Sequence, residues 1–253
     1  IFTNTVFLPP KTSYIGKIDN YKYEEENGNI KFSKLQGHQT TYNVRYMDFN
    51  LNSDKFRQLI KEQSGYDYAT EDNVQDTAFL NDLFHSSFQI KKNMTIDLNE
   101  YLSLYSDYIR KTYTALPESL PERVITLSRE ITSNAVTEYE KCKAIEAFLE
   151  SYTYTLTPNF DKGIKDVVDC FLFEEKEGYC TYFATAFAIM ARSVGVPTRY
   201  VQGFYVKESE RNGHGTYQVT QADAHAWAEV YIQGIGWIPF EATPAFREDS
   251  YKP

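Results

Sequence analysis

Long apolar runs are missing from this chain. No stretch approaches the ~18 residues that a membrane-spanning helix needs, and the mean hydropathy is −0.51, so no segment is expected to cross a bilayer. Basic clusters are missing too: Lys and Arg never run longer than a pair (Lys91-Lys92, Arg110-Lys111), and 26 of them face 35 Asp and Glu for a net charge of −9. With no stripe to track phosphates and a pI near 5.1, nucleic acid and other polyanions are excluded as main partners. Cysteine is scarce. Cys142, Cys170 and Cys180 are too few for a disulfide framework, form no C-x-x-C zinc pair, and allow at most one bridge with one thiol left over. Neither an internal repeat nor an acidic loop of calcium-binding spacing is present, so no metal or other cofactor is expected. The chain begins at Ile1 with no charged leader or cleavage site, which reads as an excised segment.

What the chain does have is aromatic rings: 21 Tyr, 17 Phe and 2 Trp in 253 residues. They offer large areas for burial, excluding a disordered chain, and the length suits two domains. Up to about Met94 the apolar stretches are short. The alternation in Tyr42-Asn43-Val44-Arg45-Tyr46-Met47 suggests a half-buried strand, and Asp54, Phe56, Leu59 and Ile60, ending near Gly65, suggest a short helix. The acidic stretch Glu62 to Asp76 reads as a solvated loop. Residues 1–97 are therefore expected to form a small accessory α+β domain. From Asn99 the pattern turns helical, with Tyr101, Leu102, Tyr105, Tyr108, Ile109 and Tyr113 at three- and four-residue spacings. This stripe is expected to pack rather than bind a ligand, and residues 98–118 serve as a helical connection. A helix follows with Pro121 in its first turn, and Thr137-Glu138-Tyr139-Glu140 is a capping box opening another. The face of that last helix carries Cys142, read as a packing thiol.

The stretch that carries chemistry starts at Gly178. From Phe183 to Val194 the residues are rich in Ala and apolar all round, with Gly195 and Pro197 as stop signals, which predicts a helix buried in the domain centre. Cys180 sits at its amino end, where unpaired N–H groups and the helix dipole favour a thiolate. Glu174, Glu175 and Glu177 just upstream push the other way. Asp223 to Ile232 alternates small or apolar residues with His225, Trp227, Glu229 and Tyr231, predicting a strand with two unlike faces. A turn over Gln233-Gly234-Ile235-Gly236 returns the chain through Trp237 to Pro244 and sets Glu241 across from a position between 225 and 229. One step of register would put Glu241 on the opposite face. Cys180, His225 and Glu241 are then the parts of a nucleophile, a base, and a carboxylate that orients the base.

Four segments, Gly178 to Ala184, Ala191 to Phe204, Asp223 to Val230 and Gly236 to Pro244, resemble the core of the bacterial transglutaminase-like superfamily, and the resemblance extends back to about Ser119. It implies a papain-like catalytic domain over residues 119–253: a central helix bearing Cys180 against an antiparallel sheet bearing His225, with an acidic third member. By that matching Glu241 stands where the family usually has aspartate. The resemblance further implies cofactor-free, thiol-dependent acyl transfer on protein or peptide carboxamides through a Cys180 thioester, with transamidation, deamidation and amide hydrolysis all open. The preceding segment is similar to the extracytoplasmic part of membrane-anchored members, which would place the chain at the cell surface or in the periplasm. The alternative is a catalytically silent binding or scaffolding module of the same fold, favoured by the Glu at 241 and the acids before Cys180.

Other candidates receive structural readings. His38, His85 and His214 are expected at the surface, Asp223 in a structural or cleft-shaping role, and Glu229 in a salt bridge or exposed to solvent. Trp227 and Trp237 are expected to pack near the site, and Cys170 in the core. The backbone N–H of Cys180 is the natural first oxyanion donor.

Overall fold

A computed structural model describes residues 3–5, 12–16, 21–24, 29–36, 41–46, 53–56, 58, 98–159, 163–206, 212–214, 218–233 and 235–246. The acidic stretch 62–76, His38 and His85 lie outside these. The chain divides into two units, residues 1–49 with 76–95 and residues 50–75 with 96–253. In the first unit, strands β1 (Thr3–Thr5), β3 (Tyr21–Glu24) and β4 (Asn29–Gln36) form an antiparallel sheet with β4 central, and β2 (Thr12–Gly16) pairs with β5 (Asn43–Tyr46). The strand expected around Tyr42 to Met47 is β5.

The second unit carries the chemistry. Its helices are α1 (Leu98–Tyr113), α2 (Glu122–Ile131), α3 (Glu138–Leu149), the short α4 (Val167–Cys170) and α5 (Cys180–Ser193). Its main sheet is antiparallel with β9 (Ala224–Ile232) between β8 (Thr198–Phe204) and β10 (Gly236–Phe240). A two-residue strand β6 (Thr153–Tyr154) runs parallel to β7 (Glu177–Gly178). Helices and sheet thus mix as expected, with a central helix against an antiparallel sheet.

Local chemistry explains these elements. Thr137 caps α3: its hydroxyl accepts from the Glu140 N–H at 3.1 Å, and the Glu140 carboxylate accepts from the Thr137 N–H at 3.0 Å. Pro121 sits at the N-cap of α2, one residue earlier than expected. Helix α5 ends on Gly195, whose φ of +80° suits only a residue without a side chain. The Gly195 N–H reaches the Arg192 carbonyl and the Val196 N–H reaches that of Ala191, both at 3.0 Å, a Schellman closure. Helix α5 lies between the sheet and helices α2 and α3. Phe183, Ala186, Phe187, Met190 and Ala191 on it are wholly buried, each large apolar side chain stabilising the fold by roughly 1.5–3 kcal/mol. Ala184 and Ala188 on the helix and Ala226 and Ala228 on β9 are small and buried, letting helix and sheet approach closely. Phe56, within helical residues 54–56, joins this same core.

Of the tyrosine stripe on α1, Tyr113 packs edge-on against Trp237 with centroids 4.7 Å apart, while Tyr108 is half exposed. The side chains of Tyr101, Leu102 and Tyr105 lie outside the described ones.

Candidate active site

Cys180 is the first residue of α5. Tyr179 precedes it as N-cap and offers no side-chain cap, so the opening N–H groups of the helix are left to whatever sits at its amino end. The approach is set by an unusual turn: residues 171–175 form a π-helical turn ending on Lys176, a non-glycine residue with a φ of +53°. This swings the chain into β7, where Thr155 donates to the Gly178 carbonyl at 2.8 Å. Any side chain at Gly178 would meet the Tyr182 ring at 2.8 Å.

His225 enters from the start of β9, opposite Gly203 of β8. Glu241 follows the last ladder pair of the hairpin, Phe240 with Ala228. Continuing that register sets residue 241 opposite 227 and on the face of 225, so the expected placement holds. The Glu241 Oε2 lies 2.6 Å from His225 Nε2, and its Oε1 accepts from the Thr243 N–H at 2.8 Å. Both residues are only 5% exposed. A carboxylate at that distance fixes the proton on Nε2, which leaves Nδ1 as the acceptor that can face Cys180. Nδ1 is buried with no closed hydrogen bond among the described residues; Trp227 Nε1 and Thr243 Oγ1 are the other such side-chain atoms. All three lie in or beside the His225–Glu241 pair, and unmet buried polar groups call for an explanation of this kind.

Electrostatics follow from this arrangement. Burial pushes the Cys180 thiol up, but interaction with the His225 ring and the backbone N–H groups of Ala226 and Thr181 brings it below its ordinary value. Burial works against a protonated His225, yet the Cys180 thiol and the Glu241 carboxylate raise it to about 9. Both shifts run toward a thiolate beside an imidazolium. The other two thiols differ. Burial lifts Cys142 well above its ordinary value; burial, then Glu174 and Glu175, raises Cys170. Of the acids expected to bear on Cys180, Glu174 and Glu175 act on Cys170 instead, and none is among the groups that shift Cys180. All three cysteines are free, with Cys142 and Cys170 buried.

The competing carboxylates are engaged elsewhere. Asp223 accepts from the Thr220 N–H at 2.7 Å and from its hydroxyl at 3.0 Å, capping the short turn before β9. Glu229 accepts two hydrogen bonds from Arg199, at 2.8 and 2.5 Å. Trp227 lies parallel to the imidazole, 6.3 Å away, across a lane kept open by Gly203, where an added Cβ would strike the indole at 2.8 Å. Trp237 packs instead beneath Arg199, at 4.3 Å. His214 is exposed. Among the described residues no group of three or more His, Cys, Asp or Glu is disposed to hold a metal ion, and no helix is long and apolar enough to cross a membrane.

Sequence reasoning missed the aromatic surroundings of His225. Phe246, from a turn after β10, and Tyr205, just beyond β8, reach its ring, and Tyr154 of β6 stands against Phe246. Isolated rings far apart in sequence gave no periodic signal to find them by.

Residues 125–242 match the Transglutaminase-like superfamily model, and that segment is a transglutaminase-like domain. Over 141 residues the chain is 43% identical to the uncharacterized protein YebA of Bacillus subtilis, covering 53% of this chain and 19% of that protein. Over 95 residues it is 39% identical to a protein-glutamine gamma-glutamyltransferase of Pseudomonas aeruginosa, covering 37% of this chain and 14% of that protein. The match thus spans under a fifth of either relative. The fold is similar to the periplasmic domain of TgpA from Pseudomonas aeruginosa, solved bound to ethylmercury, with a TM-score of 0.61 at 20% identity over 97% of this chain and 68% of that one.

Proposed function

We propose that this chain is a cysteine acyltransferase or amidohydrolase acting on carboxamides of proteins or peptides, with Cys180 as nucleophile, His225 as general base and acid, and Glu241 as the group that orients the imidazole. The observation that carries the reading is the buried Glu241 carboxylate 2.6 Å from His225 Nε2, which leaves the opposite ring nitrogen to exchange a proton with the thiol. With the thiol proton already held on Nδ1, the Cys180 thiolate attacks the amide carbon. The developing oxyanion lies at the amino end of α5, where the Cys180 N–H points. Collapse of the tetrahedral adduct breaks the C–N bond; the imidazolium returns its proton to the leaving ammonia or amine, and a thioester remains. An amine or a water molecule, deprotonated in turn by His225, then releases the acyl group.

The relative named as a protein-glutamine gamma-glutamyltransferase supports a glutamine carboxamide as the donor. The likeness to a periplasmic domain supports an extracytoplasmic setting. The test is mass spectrometry of the chain incubated with glutamine-bearing peptides, with a fluorescent primary amine as acceptor. An acyl adduct on Cys180, absent from Cys180→Ala, is expected. A protein that labels no peptide and forms no adduct with a broad peptide library would be a silent binding module instead.

A further inference from the structure

The imidazole of His225 has one edge on a carboxylate and one face under a phenyl ring. Phe246 lies with its centroid 4.2 Å from that of the imidazole and its plane tilted 34° from it. Tyr205 stands edge-on to both, 5.7 Å from the imidazole and 5.3 Å from Phe246, and Tyr154 stands edge-on to Phe246 at 5.8 Å. The chain that holds Phe246 is the chain that holds Glu241. The Phe246 N–H donates to the Thr243 carbonyl at 3.0 Å, and the Thr243 N–H donates to Glu241 Oε1 at 2.8 Å. One six-residue segment therefore delivers the carboxylate to the ring's edge and a π face to the ring's flat side.

A π face carries negative charge density and attracts a cation within about 6 Å far more than it attracts a neutral ring. Placed here, it discriminates between the two protonation states of His225. The other titratable groups facing the imidazole are Cys180 from the start of α5, Glu241, and the phenol of Tyr205 beyond β8, while the phenol of Tyr154 on β6 bears on Cys180 and Glu241.

We propose that Phe246 is a positioning residue of the Cys180–His225 pair: braced by Tyr205 and Tyr154, it stabilises the protonated imidazole against the thiolate and fixes the ring so that Nδ1 faces the sulfur. The proposal rests on the reading of Cys180 and His225 as a thiolate–imidazolium pair, and its test separates the two.

The test is the rate of iodoacetamide alkylation of Cys180, read site by site by mass spectrometry across pH, in the whole chain and in Phe246→Leu and Phe246→Tyr. Loss of the π face in Phe246→Leu is expected to move the midpoint of thiolate formation up by about half to one pH unit, slowing alkylation about three- to tenfold below the midpoint. The rate at alkaline pH is expected to stay the same, and Phe246→Tyr, which keeps the face, is expected to restore the profile. An unchanged midpoint in Phe246→Leu overturns the proposal, and so does an equal shift in the Tyr variant, which would mark a packing effect alone. Should the Leu variant lose its cooperative thermal transition, a difluorinated phenylalanine at position 246 keeps the shape, drains the face and carries the same expectation. An unmodified chain whose Cys180 midpoint sits at the free-cysteine value of about 8.5 would instead refute the pair itself.

Discussion

Replacing Glu241 by Gln removes one charge and changes almost nothing else in volume, which makes its consequences calculable. The carboxylate accepts twice, from His225 Nε2 at 2.6 Å and from the Thr243 N–H at 2.8 Å. An amide can accept at one end only. If its oxygen faces Nε2, its NH2 confronts the Thr243 N–H, donor against donor. If it turns over, the NH2 faces Nε2, which must then give up its proton, and the proton moves to Nδ1, where it blocks transfer from the thiol. In the first orientation a buried donor is left unmet, at about 1–3 kcal/mol; in the second the productive tautomer is lost. A carboxylate-to-amide change in a comparable triad lowers turnover by on the order of 10⁴.

Stability should respond to pH in a defined direction. The folded-state pKa of His225 is raised from 6.5 to about 9, so its contribution is fully present below about pH 6.5 and is lost as pH climbs through about 9. That rise corresponds to on the order of 3 kcal/mol, shared between Glu241 and Cys180. Urea unfolding of Glu241→Gln against the parent should therefore show a larger destabilisation near pH 6 than near pH 10, and alkylation of Cys180 near pH 6 should slow. Equal destabilisation at both pH values together with unaltered alkylation would refute the assigned role of Glu241.

Cys180 should be alkylated first, because it is the one thiol lowered rather than raised; peptide mapping after a brief treatment should find Cys142 and Cys170 unmodified. Arg199→Ala should destabilise by about 3–5 kcal/mol, since Glu229, 4% exposed, would be left as an uncompensated buried charge; Arg199→Ala with Glu229→Leu should recover most of the loss in the same denaturant melts. Gly203→Ala should cost about 1–3 kcal/mol, because its new Cβ meets the Trp227 ring. The displaced indole should also disturb His225, seen as a shift of the imidazole resonances by NMR.

The central helix and the hairpin were legible because their signals are local. A buried all-round apolar helix declares itself between Cys180 and the Gly195 stop, and residues 178–195 fold as their composition dictates. Strict alternation gave the faces of β9, and the short turn gave the register that brings Glu241 onto the face of His225. The capping box at Thr137 was equally local. What could not be read depends on contacts between distant segments. The π-helical turn through residues 171–175 has no sequence period of its own, and Trp237 could not be assigned to Arg199 until β8 and β10 lay on either side of β9. Phe56 lies far along the chain from the helices whose core it joins, so no pattern within residues 1–97 ties it to them.

The choice of Glu at 241 follows from where β10 ends. The last ladder pair sets Phe240 against Ala228, so residue 241 stands opposite 227, two residues along the strand from His225. A diagonal neighbour across an antiparallel pair lies roughly 7–8 Å away, against about 5 Å for a residue directly opposite. Aspartate at this point would place its carboxyl about 1.5 Å short, one carbon–carbon bond, and could meet either the imidazole or the Thr243 N–H. Glutamate meets both. Its additional methylene fits the register of this hairpin, and the same reach ties the carboxylate to the turn carrying Phe246. The departure from aspartate is thus accommodated by local geometry, and a glutamate here is consistent with an intact orienting group rather than with a degraded one.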